Sequence, residues 1–317
     1  MHPILLELPM PWGPVPIYSY GVMLGTSMIV AWHVVMWLGS RDGFDRELLA
    51  NAFIAAAVSA IVGARALYVA TNPYEFDSIT DLLALRRGGL VAYGGFLGGF
   101  FGALAYLRRK RVSFLGFADV TAPTLALGLA LTRIGCYLYG CDFGARLDDD
   151  APSWLRSIGT FPHWADHAGS PAWSHHVADY GLDFSASHSF PVHPTQLYES
   201  LAGFVLLAVT LVMWRRRAFR GQVLLSLAMA YGLFRFAIEY WRDDPERGQA
   251  FGFSTSQLIS LAIVPVAAFA YFQARKAHRA HPSTLMRLGV PSSYAPLDDA
   301  APAGGAPSEA APRKPRR

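Results

Sequence analysis

The sequence predicts an all-α polytopic membrane protein with seven transmembrane helices and a small extracytoplasmic head between helices 4 and 5. Hydrophobic residues make up 53% of its 317 residues and charged residues only 16%, against about 25% charged residues in a typical soluble domain. The aromatic share of 13% excludes disorder of the whole chain. Seven segments also hold the roughly 20 mostly apolar residues that a helix needs to cross a bilayer.

The seven predicted spans follow one another closely, except for one long interval between the fourth and the fifth. The second, fourth and sixth spans each contain a single arginine. We expect the spans at residues 18–39, 50–71, 88–107, 115–138, 194–214, 221–241 and 256–274. Together with their connections they form one predicted membrane domain, residues 1–281.

Lysine and arginine fall unevenly on the two sides of this arrangement. The segments after spans 1, 3, 5 and 7 carry 18 of them, whereas the other connections carry six. Cytoplasmic loops of membrane proteins hold the excess of positive charge. The N-terminus is therefore predicted outside and the C-terminus in the cytoplasm, in a multi-pass protein.

The long interval and the C-terminal tail differ in composition from the spans. Residues 141–193 hold six of the ten histidines and three of the eight tryptophans, and they predict an extracytoplasmic head with short mixed structure. Because the histidine spacing does not match a pair of ligands on one helix face, we expect no metal and no cofactor. Residues 282–317 are rich in Pro, Ala, Gly and Arg, which predicts a disordered basic cytoplasmic tail.

Span 3 carries a stripe of glycines. Gly94, Gly98 and Gly102 lie at four-residue spacing and therefore on one helix face. One interpretation is close approach of a second helix, which small residues permit. The other is that bare backbone, including Gly95, is offered to a lipid headgroup.

Ionisable side chains lie within the predicted spans, where each charge raises the free energy of membrane insertion. An arginine near the bilayer centre costs roughly 2.5–3.5 kcal/mol on insertion scales. The charged residues concerned are Arg65, Arg133, Glu199, Arg235 and Glu239, with Arg242 at an outer span end. Buried ion pairs that fix helix packing are one explanation. The other is an anion that enters the membrane, and a lipid phosphate suits the planar fork of arginine.

Two cysteines, Cys136 and Cys141, stand five positions apart at the end of span 4. The plainest interpretation is that they are small apolar packing residues. A disulfide between them requires the helix to end near Gly140, because five positions along a helix point in different directions. A covalent carrier role is disfavoured, since a thioether is too stable to pass its group on.

Short motifs in a fixed order carry a resemblance to a known family. They are Tyr18-Ser19-Tyr20-Gly21, Gly63-Ala64-Arg65-Ala66-Leu67-Tyr68, Tyr93-Gly94-Gly95, Arg133-Ile134-Gly135, the run His193-Pro194-Thr195-Gln196-Leu197-Tyr198-Glu199, and Phe234-Arg235 with Glu239 and Arg242. Over residues 17–272 the chain resembles the prolipoprotein diacylglyceryl transferases, seven-span enzymes of bacterial plasma membranes. The topology expected above is that of this family.

The resemblance implies an activity. Such an enzyme transfers the diacylglyceryl group of phosphatidylglycerol to the lipobox cysteine thiol of a preprolipoprotein, forming a thioether and releasing glycerol phosphate, in the first step of lipoprotein maturation. It implies phosphatidylglycerol, preprolipoprotein signal peptides and membrane lipid as partners, and no nucleic acid. The family's essential arginines correspond to Arg133 and Arg235, its span-1 tyrosine to Tyr20 and its span-6 glutamate to Glu239.

Two groups of site residues are therefore expected. Catalytic roles are predicted for Arg133, Arg235, Glu239 and Tyr93. Phospholipid or substrate binding is predicted for Arg133, Arg235, Tyr20, Arg65, Gly94, Gly95, His193, Gln196, Tyr198, Glu199 and Arg242.

The chain departs from the family pattern where a proton acceptor is expected. Tyr93 stands in place of a histidine, and the segment from Cys136 to Cys141 replaces one with two asparagines and a glutamate. Tyrosine, with a reference pKa of about 10, is a poor base at neutral pH. We favour a reaction without a dedicated strong base, with Glu239 or His193 as the alternative. A phospholipid-binding or transporting protein, or a catalytically divergent paralogue, is the alternative function.

Overall fold

The computed structural model describes residues 1–11, 13–76, 89–164, 169–243 and 248–280. Helices dominate this part of the chain. They are α1 (Ser19–Arg41), α2 (Arg46–Thr71), α3 (Ala92–Arg109), α4 (Phe114–Tyr139), α5 (Ser153–Ile158), α6 (Pro171–Asp179), α7 (Thr195–Arg216), α8 (Gln222–Ile238) and α9 (Thr255–Ala280), with single 3₁₀ turns at Pro73–Glu75 and Glu239–Trp241. The predicted tail, 282–317, and the first residue of predicted span 3 lie outside the described residues.

Two small antiparallel hairpins accompany the helices, and the all-α prediction did not anticipate them. Strand β1 (Ile4–Met10) pairs with β2 (Gly13–Tyr18), and β3 (Gln249–Ala250) pairs with β4 (Phe253–Ser254). The second strand leads directly into α1, and the Ser19 amide donates to the Pro3 carbonyl at 2.8 Å. The first hairpin thereby fixes the position at which α1 begins.

Six helical segments in the described part of the chain are long and apolar enough to cross a membrane. They are α1, α2, α4, α7, α9 and the segment Gln222–Trp241. Large apolar side chains on these helices, such as Ile29, Leu201 and Val266, are exposed, as expected where lipid replaces water around the protein. A mostly helical polytopic membrane protein is thus confirmed. Helix α3, with 18 residues and many glycines, is not among the six.

The helix ends differ from the predicted spans by several residues. Helix α2 begins at Arg46, four residues before the predicted start, and α9 continues to Ala280, six residues beyond the predicted end. The prediction followed the apolar stretch, whereas a helix continues past the membrane as long as its backbone hydrogen bonds are made. The last three residues of predicted span 6 form the 3₁₀ turn Glu239–Trp241.

The described residues divide into two compact units. Residues 54–114 form one, and the described residues on either side of them form the other. In the unit formed by 54–114, glycines of α3 pack on α2. A Cβ atom at Gly94 would collide with the Gly63 carbonyl, and one at Gly98 with the Ser59 carbonyl. The close-packing interpretation of the glycine stripe is confirmed.

In the other unit, α4 positions the two helices that follow it. The Asp119 carboxylate of α4 caps α8, accepting hydrogen bonds from the backbone N–H groups of Gly221, Val223 and Leu224 at 2.7, 2.8 and 3.0 Å. The Ser200 hydroxyl of α7 donates to the Ala130 carbonyl of α4 at 2.9 Å. These contacts bring the C-terminal half of α4 against the start of α7.

The segment between α4 and α7 has a small apolar cluster of its own. Phe143, Phe161, Ala172 and Val192 are buried together. Helices α5 and α6 and isolated bridges such as Arg146 to Val192 are its regular structure. Short mixed structure was predicted for this segment.

Candidate functional site

Three segments meet where α4 ends, α7 begins and the chain leaves α8. Arg133 lies in the last two turns of α4, Glu199 in the second turn of α7, and Arg242 directly after the 3₁₀ turn that follows α8. Backbone hydrogen bonds join the segments, since the Gly144 amide donates to the His193 carbonyl at 3.0 Å and Gly144 also forms a bridge with Arg242. Residues far apart in the sequence thereby come into contact.

Two arginines and two carboxylates form a network of ion pairs at this junction. Arg133 contacts Asp142 through Nη1 and Oδ2 at 2.6 Å, and it contacts Glu199 through Nε and Oε2 at 2.8 Å. Arg242 pairs with both Glu199 and Asp142. We call Arg133, Asp142, Glu199 and Arg242 the four-charge cluster. Its formal charges sum to zero.

The four members of the cluster differ in exposure. The side chains of Arg133 and Asp142 are 16% and 24% exposed, whereas those of Arg242 and Glu199 are 1% and 0% exposed. Arg133 and Asp142 therefore form the accessible edge of the four-charge cluster. An anion that approaches from outside meets Arg133 before it meets Arg242.

Asp142 is the member that the sequence analysis missed. It follows the end of α4 with a left-handed backbone, φ 58°. Its carbonyl accepts a hydrogen bond from the Thr195 hydroxyl at 2.8 Å, and the carbonyl of Cys141 accepts one from Gln196 Nε2 at 2.7 Å. One signal could have identified it, because a carboxylate that closely follows an arginine-bearing span is a candidate counterion.

Arg235 and Glu239 form a second ion pair. Arg235 Nη1 donates to Glu239 Oε2 at 2.5 Å, and Arg235 Nη2 donates to the Ser256 hydroxyl of α9 at 2.8 Å. Arg235 therefore links the end of α8 to the start of α9.

Other predicted site residues surround the four-charge cluster. The Tyr20 backbone and ring pack on Gly135, two residues after Arg133. Gln196 is fully buried. His193 Nδ1 lies 3.3 Å from the Tyr198 hydroxyl, and burial lowers the pKa of His193 below its ordinary value. His193 is therefore neutral at pH 7 and adds no positive charge to the site.

Four predicted site residues belong to the unit formed by 54–114. Arg65 Nη1 donates to the Gly89 carbonyl at 3.1 Å, and the Tyr93 side chain is exposed. Gly94 is in tight contact with α2, whereas the Gly95 position has only ordinary van der Waals neighbours. Their roles in lipid binding and catalysis stay predictions.

A group of possible metal ligands shares Asp142 with the four-charge cluster. The sulfur atoms of Cys136 and Cys141 and a carboxylate oxygen of Asp142 are all within 4.8 Å of one another. Both carboxylate oxygens of Asp142 are paired with arginines. The two guanidinium groups therefore occupy Asp142 and repel a cation, which disfavours metal binding here.

The ion pairs bear on the two explanations offered for arginines in the membrane. Each of Arg133, Arg235 and Arg242 contacts at least one carboxylate, as the helix-packing explanation requires. A buried cation needs a counterion whether or not it also binds a lipid. Pairing with carboxylates is therefore compatible with both explanations.

Known proteins resemble the chain over most of its length. A family model described as Prolipoprotein diacylglyceryl transferase matches residues 4–273. The phosphatidylglycerol–prolipoprotein diacylglyceryl transferase 2 of Clostridium perfringens is 30% identical over 249 residues, covering 78% of this chain and 87% of that protein. The phosphatidylglycerol–prolipoprotein diacylglyceryl transferase of Clostridium tetani is 29% identical over 272 residues, covering 86% and 97%. That of Bacillus cytotoxicus is 28% identical, covering 73% and 79%.

Proposed function

Because this chain belongs to the prolipoprotein diacylglyceryl transferase family, we propose that it performs the first step of lipoprotein maturation at the four-charge cluster. It is a transferase that moves the diacylglyceryl group of phosphatidylglycerol to the lipobox cysteine of a preprolipoprotein. The observation that carries the site assignment is the pair Arg133 and Arg242, held together near the ends of membrane helices.

The reaction makes specific demands on the site. The cysteine sulfur forms a bond to the glycerol carbon, the bond from that carbon to the phosphate oxygen breaks, and glycerol phosphate leaves with the bonding electrons. Negative charge therefore grows on the phosphate as the reaction proceeds. Preorganised cations stabilise such developing charge, and removal of one donor from a site of this kind typically costs about 100-fold to 1,000-fold in rate.

Arg133 is suited to contact the phosphate directly. It is the more exposed of the two arginines in the four-charge cluster, and its planar guanidinium group can hold two phosphate oxygens at once. Arg242 is buried and bound to Glu199 and Asp142, so we assign it to positioning. Tyr20, beside Gly135, is assigned to the lipid-contacting edge of the site.

The Asp142 carboxylate must move away from Arg133 when phosphate binds. Glu199 is fully buried and bound to both arginines, whereas Asp142 is the most exposed member of the four-charge cluster and lies past the end of α4. A phosphate oxygen therefore replaces the Asp142 carboxylate on Arg133, while Glu199 keeps the arginines in place. This exchange replaces one anion by another and leaves no cation unpaired.

Removal of the proton from the lipobox cysteine thiol does not require a dedicated strong base. The thiolate is the nucleophile, and nearby cations favour its formation. Arg133 supplies that charge, with the Arg235–Glu239 pair as the second part of the catalytic site. Glu239 is the alternative acceptor for the proton. Tyr93 is assigned to hydrogen bonding, and His193 and Tyr198 to the substrate-contacting edge. Gln196 is fully buried and donates to the Cys141 carbonyl, so it is assigned to positioning.

The proposal includes a membrane topology. We infer seven spans, with α3 as the third, and a head, residues 141–193, between α4 and α7. The excess of lysine and arginine after alternate spans supports an external N-terminus and a cytoplasmic C-terminus. The four-charge cluster then lies at the outer side of a bacterial plasma membrane, where signal peptides carrying a lipobox cysteine emerge.

The test is a transfer assay with the purified full chain, phosphatidylglycerol vesicles and a lipobox peptide. The thioether product is identified by its mass. We expect Arg133→Lys and Arg235→Lys to lower the transfer rate by about 100-fold, because lysine keeps the charge and loses the bidentate fork. Arg156→Lys is the matched control, since Arg156 lies in the head segment and contacts Asp149.

Two results would overturn the assignment. If both substitutions leave the rate at the level of the control variant, the arginines have a purely structural role. If lipid binds and no thioether forms with any lipobox peptide, the chain is a lipid-binding or transporting relative of the family.

A further inference from the structure

Two cysteines lie at the end of α4, beside the four-charge cluster. Cys136 is buried in the last turn of the helix, and Cys141 is partly exposed just beyond it. Gly140, with φ 84°, ends the helix in the left-handed conformation that favours glycine. The amides of Gly140 and Cys141 both donate to the Cys136 carbonyl, at 2.8 and 3.2 Å. The helix thus ends where a disulfide between the two cysteines requires it to end.

The side chains are already close to a bonding geometry. The two sulfur atoms are within 4.8 Å of each other, and Cys141 Sγ lies 3.8 Å from the Cys136 carbonyl oxygen. A disulfide needs a sulfur–sulfur distance of about 2.05 Å and Cα atoms about 4.4–6.8 Å apart. The two sulfur atoms must therefore move closer together before the bond can form.

This thiol pair is coupled to Asp142 through the chain. Asp142 is the next residue after Cys141, and the carbonyls of both are held by side chains of α7, Gln196 and Thr195. A covalent bond from Cys141 to α4 would add a third restraint to the same short segment. The proposed function requires the Asp142 carboxylate to leave Arg133, and such a restraint opposes that movement.

We propose that Cys136 and Cys141 form a reversible disulfide that holds Asp142 on Arg133 and Arg242 and thereby weakens the binding of phosphatidylglycerol. The effect on lipid rests on the proposed function, whereas the bond itself does not. Two S–H bonds break and one S–S bond forms between Cys136 and Cys141. The two protons and two electrons pass to a disulfide oxidant, whose S–S bond breaks to give two thiols by thiol–disulfide exchange. The proposed topology places the two cysteines at the outer side of a bacterial plasma membrane, an oxidising compartment in which such a bond persists.

The experiment uses the full chain in detergent, because its 317 residues contain no cysteines other than these two. One sample is treated with dithiothreitol and one with oxidised glutathione. After labelling in denaturant, which exposes the buried Cys136, we expect two N-ethylmaleimide adducts by intact mass for the reduced sample and none for the oxidised one, with a monomer on a non-reducing gel. Titration with short-chain phosphatidylglycerol should show about tenfold weaker binding to the oxidised protein.

The double variants Cys136→Ser, Cys141→Ser and Cys136→Ala, Cys141→Ala are the matched controls. Both should bind lipid like the reduced parent in either reagent, and the parent itself provides the comparison if a variant fails to fold. Two reactive thiols at saturating oxidant, only intermolecular dimers, or equal binding in both states would overturn the proposal. So would stoichiometric protection of both thiols by Zn²⁺ in the reduced protein, which would define a metal site. Redox-dependent lipid binding without any thioether transfer supports the disulfide and refutes the transferase assignment.

Discussion

Replacing Asp142 by asparagine tests the exchange of carboxylate for phosphate in the four-charge cluster. Asparagine has nearly the same shape and keeps an amide oxygen that can accept from Arg242, but it carries no charge. Arg133 then retains one carboxylate partner, Glu199, and the net formal charge of the cluster rises from zero to +1. We expect the variant to bind phosphatidylglycerol more tightly than the parent.

The size of the effect follows from the contact between Arg133 and Asp142. Unit charges about 4 Å apart attract each other by about 4 kcal/mol at an effective dielectric constant near 20. Both side chains are partly exposed, 16% and 24%, so solvent screening reduces the net contribution to about 1–2 kcal/mol. A phosphate that no longer has to displace this partner should bind roughly fivefold to thirtyfold more tightly.

The assay is a calorimetric titration of the detergent-solubilised protein with short-chain phosphatidylglycerol at several salt concentrations. Asp149→Asn is the control, because Asp149 is fully exposed and lies 3.7 Å from Arg156, outside the four-charge cluster. Unchanged or weaker binding in Asp142→Asn, with the melting temperature of the parent preserved, would refute carboxylate exchange. Asp142 would then be a purely structural counterion.

Three further predictions concern the stability of separate parts of the protein. Glu199→Gln should lower the free energy of unfolding by about 3–5 kcal/mol, because it removes the charge of a fully buried partner of two arginines. Thermal melting in detergent measures this loss, and an unchanged melting temperature would contradict it. Gly98→Ala should destabilise the packing of α3 on α2 by about 1–3 kcal/mol, since the added methyl group meets the Ser59 carbonyl. Gly128→Ala is its control, having no atom within 4 Å of the added methyl group, and equal melting of the two variants would contradict the expected clash. Burial lowers the pKa of His176 from 6.5 to about 4, so the head segment should lose up to about 3 kcal/mol as the pH falls from 6.5 towards 4. The rate of proteolysis of the head segment should therefore rise as the pH falls from 6.5 towards 4. His176→Gln cannot take up a proton and should abolish this rise. If parent and variant show the same pH profile, another group is responsible.

The helical spans were largely predictable, and the site was predictable in part. Arg133, Glu199 and Arg242 were expected from the cost of charge in a membrane, and they are in contact. Asp142 was missed because it lies beyond the predicted end of span 4, where an acidic residue is ordinarily solvated. The N-terminal hairpin was missed because β1 and β2 are only seven and six residues long, too short to cross a bilayer, and their pairing is not visible in the sequence.

The sequence by itself determined the positions and apolar character of the helices, because lipid solvation acts on each segment of about 20 residues independently of the rest of the chain. It also determined which ionisable residues require partners, since that cost is local. Only the tertiary structure decided which residues become the partners of Arg133 and Arg242. Arg242 finds Glu199 at a separation of 43 residues and Asp142 at a separation of 100, and such contacts depend on how α4, α7 and α8 pack, which no local pattern specifies.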